Sequence, residues 1–169
     1  SKSGPLIVTA ADCLPFFPPD GAESLLEERT FQNLIGPLGG RQAIWAECLF
    51  ADRAADIAVL GPPDSQELED KYEAHRSFVD ECESLFVTNP MRRSWGHFLS
   101  SKEWLPCELR HQNGPLWILA RDEVGVGLSG SPLLDPEGGA VGVFVAKTKV
   151  ESDTEIRIGP NPHLAYALP

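Results

Sequence analysis

Fifteen glycines and fifteen prolines are spread along the whole chain instead of gathering in one segment. That distribution cuts the sequence into many short elements, the punctuation that an all-β sandwich or barrel requires. Residues 6–9 form a short β-branched run. Residues 42–50 alternate, with Ile44, Ala46, Cys48 and Phe50 on one face, which predicts a half-buried strand. Residues 57–60 make a second apolar run, stopped by Gly61-Pro62-Pro63. Leu68, Tyr72, His75, Val79 and Cys82 then recur every three or four positions within a polar stretch. A surface helix is therefore expected near residues 65–84, capped by Ser65, with Glu67, Glu69 and Asp70 close to its positive end. His75 falls on the apolar stripe and reads as a core or boundary histidine with a local partner.

Strand signals return beyond Asn89. Residues 104–111 and 116–119 flank the turn Gln112-Asn113-Gly114-Pro115, and residues 132–134 and 140–146 flank Asp135-Pro136-Glu137-Gly138-Gly139. Residues 156–158 and 164–168 close the chain. Met91-Arg92-Arg93 reads as a solvated loop. Strands, one helix and strands again, without alternating βα units, exclude a doubly wound fold. Two halves are expected, residues 1–90 with the helix and residues 91–169.

A formal net charge of −11 leaves no basic stripe to displace counterions from a phosphate backbone, so nucleic acid is not an expected partner. No apolar run approaches the roughly 20 residues that a membrane helix needs, so no membrane partner is expected either. No signal-peptide pattern is evident, and the sequence leaves the compartment open. Cys13, Cys48, Cys82 and Cys107 are scattered without a C-x-x-C pair, which argues against a zinc site. Buried thiols are expected in preference to two disulfides. No metal and no cofactor is implied.

Three segments carry chemistry. In Gly127-Leu128-Ser129-Gly130-Ser131-Pro132, glycines on both sides of a serine allow a tight turn that can aim the N–H groups of Gly127 and Ser129 at one point. Such a pair of donors is what an oxyanion hole needs, although a plain Gly-Ser turn between strands reads equally well. It is not the elbow of the α/β-hydrolases, because Ser131 takes the fifth position and no helix follows. The second segment, Ala55-Asp56-Ile57-Ala58-Val59-Leu60, opens a buried strand with an acid. The third, residues 6–14, runs a strand into Ala10-Ala11-Asp12-Cys13. Taken singly, either acid is an ordinary turn residue.

In order, the three resemble the trypsin/chymotrypsin-like serine peptidase superfamily, whose members read strand-T-A-A-H-C, then D-I/L-A-L/V-L, then G-x-S-G-G/S-P. Asp12 and Asp56 are 44 residues apart and Asp56 and Ser129 are 73 apart, spacings close to those of compact bacterial members. Bacterial proteins with a trypsin-like peptidase domain also carry an acidic helix and a G-P-N-P segment, here residues 159–162. The resemblance implies a double antiparallel β-barrel with one inserted helix and a site in the crevice between barrels. It implies Ser129 as nucleophile, Asp56 as the acid that orients the base, and Gly127 and Ser129 as the oxyanion hole. Val145, Ala146 and Lys147 match the strand edge that pairs with substrate backbone. Residues 122–126, Glu123 among them, match the wall of the specificity pocket.

The chain departs from that family pattern twice. The two strands that normally precede the first motif are not found ahead of it, so the first barrel is expected to lack its leading strands or to take them from outside this chain. An exposed edge would then be covered by a partner chain, an oligomer or residues 24–40, whose stretch 31–35 alternates. Second, the position of the general-base histidine holds Asp12. His75, His97, His111 and His163 match no position for the base. With an ordinary pKa of about 3.9, aspartate is too weak a base at neutral pH to activate a serine hydroxyl. The expectation is a degenerate peptidase, inactive or weak, that binds an extended peptide or protein in the groove. The alternative is an active serine endopeptidase forming an acyl-enzyme at Ser129 with an unusual or separately supplied base.

Overall fold

The structure, a computed structural model, describes residues 4–18, 26–100, 103–111, 115–120, 128–146 and 162–166. The chain divides into two compact units, Ser1–Ser84 and Leu85–Pro169. Each is built on antiparallel strands, as the punctuated sequence predicts.

The first unit is a four-stranded sheet. Its strands are β1 (Ile7–Ala10), β2 (Thr30–Ile35), β3 (Ile44–Asp52) and β4 (Ile57–Gly61), in the order β1-β4-β3-β2. Ala11, Leu14, Phe31, Ala46, Cys48, Ala58 and Leu60 form its core. Residues 31–35 therefore do not cover the first strand: β2 pairs with β3, on the far side of the sheet from β1. The alternation expected through Phe50 also fails at its end. The register shifts between Cys48 and Phe50, which leaves Phe50 55% exposed. A bulge inserts one residue into the ladder and reverses the faces beyond it. The carbonyls it frees find another donor, because the Arg29 guanidinium at the end of the one-turn helix α1 (Leu26–Arg29) donates to the oxygens of Cys48 and Leu49 at 2.8–3.0 Å.

The inserted helix, α2, spans Glu69–Asp80 and is shorter than expected at both ends. Ser65 does not cap it. Leu68 holds the N-cap without a side-chain bond, and the preceding turn closes through the Leu68 N–H to the Asp64 carbonyl and the Gln66 N–H to the Asp64 carboxylate. His75 and Val79 are its buried residues, and α2 packs on β3, where the Lys71 ammonium sits 5.4 Å above the Trp45 ring. His75 is a core histidine, 2% exposed, but its Nε2 has no hydrogen-bond partner among the described residues. Burial lowers its pKa below the ordinary value, as expected for a ring whose charged form cannot be solvated.

The second unit is a closed barrel. Its strands are β5 (Arg93–Ser100), β6 (Glu103–His111), β7 (Pro115–Ala120), β8 (Pro132–Leu134), β9 (Ala140–Ala146) and β10 (Pro162–Tyr166), ordered β10-β7-β6-β5-β8-β9. Closure gives each described strand of this unit a neighbour on both sides. Phe98, Leu109, Leu116, Ile118, Leu133 and Phe144 fill the interior. Of the segment that reads as a solvated loop, Met91 and Arg92 are exposed and outside any strand, while Arg93 is the exposed first residue of β5. The β8–β9 hairpin turns as expected: the Asp135 carboxylate accepts the N–H groups of Glu137 and Gly139, and Gly138 takes a φ of +86°.

All four cysteines are free. Cys48 and Cys107 are buried as expected, whereas Cys13 and Cys82 are exposed. No helix among the described residues is long and apolar enough to cross a membrane.

Candidate active site

The antiparallel register of β1 and β4 brings two of the three motifs together. Ala10 stands opposite Ile57, and the ladder continues one step beyond both strands, with the Ala11 N–H donating to the Asp56 carbonyl at 3.0 Å. Past β1 the chain tightens into a single 3-10 turn, Ala11–Cys13, which presents Asp12. The Asp12 N–H donates to Asp56 Oδ1 at 2.9 Å. Asp56 reaches that place from the β3–β4 turn, where the Asp52 carboxylate accepts the N–H groups of Ala54 and Ala55. Asp56 itself has a φ of +53°, a left-handed conformation that Asp and Asn tolerate better than most residues.

The electrostatics follow from this placement. Burial raises the Asp56 pKa, and the neighbouring Asp12 charge adds to the rise, while the backbone amides of Asp12 and Ala11 oppose it. A carboxyl whose folded pKa is raised is penalised in its charged form. The penalty is absent below the unfolded pKa, about 4, and is fully present above the folded value. Asp56→Asn keeps a carbonyl oxygen for the Asp12 amide and suits the left-handed backbone. It is expected to raise the melting temperature at pH 7, with the gain fading as the pH falls through the raised folded value and gone below about pH 4. Thermal melts across that range check it, and a loss at pH 7 would contradict the repulsion.

Cys13 adjoins the pair, a neighbour that reading it as a buried thiol missed. Partial burial raises its pKa first, the Asp12 and Asp56 charges add to that, and a hydrogen bond with the Thr9 side chain opposes them. The net effect disfavours the thiolate form of Cys13.

Ser129 belongs to the second unit. Leu128, buried at 5% exposure, anchors a turn whose hydrogen bond runs from the Ser131 N–H to the Leu128 carbonyl at 2.9 Å. Gly130, third in this turn, has a φ of +85°. That is the type II arrangement, in which a side chain at the third residue would be strained. Two bonds tie the turn to β9, from the Gly130 N–H to the Phe144 carbonyl and from the Phe144 N–H to the Ser131 carbonyl, each 2.8 Å. Ser129 therefore occupies the half-buried corner of a rigid turn.

On β9, Val145 is 1% exposed and Ala146 pairs with Leu164 of β10. The β8 pairings on the other side end at Val143. Gly127, Glu123 and Lys147 lie outside the described residues. Among those described, no group of His, Cys, Asp and Glu is arranged to hold a metal ion.

No family model matches the chain, and no curated protein matches it. Solved structures do. A human pathogenic astrovirus serine protease is 15% identical with a TM-score of 0.51, the match covering 99% of this chain and 80% of that one. The inactive form of the Rv3671c protease is also 15% identical with a TM-score of 0.51, covering 96% of this chain and 73% of that one. At this identity the likeness speaks for architecture alone, and the architecture is the trypsin-like serine-protease fold.

Proposed function

We propose that this chain is a degenerate serine-protease-fold domain that holds an extended peptide or protein segment along β9 without cutting it. The observation that carries the reading is the side chain at residue 12. Asp56 accepts the backbone amide of that residue, which sets an acid beside the position where the family pattern has its base. The side chain so held is a carboxylate. It cannot take the Ser129 proton effectively at neutral pH, and loss of the histidine from such a triad costs on the order of 10⁶ in turnover.

In this reading Ser129 and Gly127 keep the places of the nucleophile and the oxyanion hole, and Val145, Ala146 and Lys147 supply the strand that pairs with a ligand backbone. Glu123 would favour a basic side chain. A partner strand would cover β1, next to a cleft of about 350 Å³ lined in part by Ile7, Thr9, Leu34 and Ile35. The second reading is an active endopeptidase that cleaves through an acyl-enzyme at Ser129 with an unusual or separately supplied base.

Incubation with a mixture of unstructured peptides separates the two. The proposal expects peptides to stay intact by mass spectrometry while the amides of Val145 and Ala146 gain protection from hydrogen exchange. Cleavage that Ser129→Ala abolishes would establish the second reading.

A further inference from the structure

We infer that the outward face of the β5–β6 hairpin is a docking site for an acidic peptide segment of a partner protein, with arginines taking its carboxylates and Trp95 its apolar side chains. This site stands apart from Ser129 and does not depend on the degenerate-peptidase reading.

Cross-strand partners share a face of a sheet. The register therefore sets Arg93 beside Arg110, Trp95 beside Glu108, His97 beside Pro106 and Leu99 beside Trp104. The alternating residues of β5, Gly96 and Phe98, are buried, so this face points outward. Two of its features are unfavourable in isolation. Like charges directly opposite one another are destabilising, and Trp95 leaves 64% of its surface in water, with Trp104 at 45% and neighbouring Met91 at 58%.

The charges are only partly matched. Glu108 bridges two guanidinium groups, pairing with Arg93 and accepting from Arg110 through both oxygens. Arg110 first and Arg93 second hold the Glu108 carboxyl below the usual range. Each guanidinium has five donors, so most remain for a ligand. Arg92 is exposed; its carbonyl accepts the His111 N–H, and its guanidinium makes no ion pair among the described residues. Met91, Arg92, Arg93 and Arg110 line an open cavity of about 660 Å³.

Three guanidinium groups against one carboxylate leave a local positive surplus on a chain whose formal net charge is −11. A surplus that small matches a segment bearing a few carboxylates, which arginine recognises through paired hydrogen bonds. A polyphosphate would meet the overall negative field at every further residue. Exposed tryptophan beside arginine is also the composition that carries binding energy at protein interfaces.

The test measures fluorescence anisotropy of a labelled synthetic peptide alternating glutamate with leucine and phenylalanine, titrated with the full chain. Its control has glutamine at every glutamate. The glutamate peptide should bind more tightly than the control and weaken as ionic strength rises from about 0.01 M to about 1 M. Arg92→Glu and Trp95→Ala alter exposed side chains, so their melting curves should match the parent. Each should weaken binding by about tenfold or more. Equal binding of the glutamine peptide, unchanged affinity in both variants, or tighter binding of a single-stranded oligonucleotide would overturn the assignment.

Discussion

Asp12→His should gain serine-dependent ester hydrolysis of about 10² to 10⁴ over the unmodified chain, the range that a positioned general base contributes. Residue 12 is already held by its backbone, with its N–H on Asp56 Oδ1 at 2.9 Å. An imidazole at this position could donate to Asp56, which would set its tautomer and offset the charge it gains. The substitution also removes the Asp12 charge that helps raise the Asp56 pKa, so stability should not fall. Activated esters are the proper substrates, because their leaving groups need less protonation than an amine. Turnover in Asp12→His that disappears again in the double variant with Ser129→Ala would support a site that lacks only its base. A folded Asp12→His variant with no gain would mean that other parts of the site have drifted, and peptide holding would be the better account.

The second large effect is on stability. Phe98→Ala should cost about 3–5 kcal/mol, from lost transfer energy together with the cavity left behind. Phe98 is 1% exposed and stands opposite Leu105 on β6 and Leu133 on β8, within the core of the closed barrel. Domains are stable by only about 5–15 kcal/mol, so this change removes roughly a fifth or more of that margin. Trp95→Ala, three residues earlier on the same strand but on its outer face, should stay within about 0.5 kcal/mol. Urea midpoints of the two variants provide the comparison. Similar losses in both would mean that β5 does not present Phe98 inward and Trp95 outward.

What the sequence disclosed depended on how each element carries its signal. The runs at residues 57–60 and 140–146 are apolar throughout, and both lie in strands where expected. Strand β5 hid itself because one of its inward positions is Gly96. A Cβ there would come within 2.4 Å of Leu109 Cδ1 and of the Leu134 carbonyl oxygen, so packing demands a residue with no apolar signal. Its outward positions, Arg93, Trp95 and His97, break the pattern further. Phe50 misled for the opposite reason: its alternation was regular, and the bulge after Cys48 was invisible in it. Ser65 looked like a cap, but the turn through Asp64 delays the helix to Glu69.

The two acids of the candidate site would have passed as turn residues on pattern alone. Their order and spacing with the Ser129 segment singled them out, and the contact between Asp12 and Asp56 then follows from the β1–β4 register. The left-handed backbone of Asp56 leaves no mark in the sequence beyond the presence of an aspartate.

In the proposed reading, a carboxylate at residue 12 leaves the Ser129 hydroxyl unactivated. Fluorophosphonate labelling of the unmodified chain, read as intact mass with the adduct mapped by peptide digestion, tests it directly. A fluorophosphonate reports the activated hydroxyl without requiring a substrate of the right sequence. The account predicts no adduct at Ser129 at neutral pH under conditions that label an active serine peptidase to completion. Stoichiometric modification of Ser129, absent in Ser129→Ala, would contradict it and make the aspartate site a working enzyme.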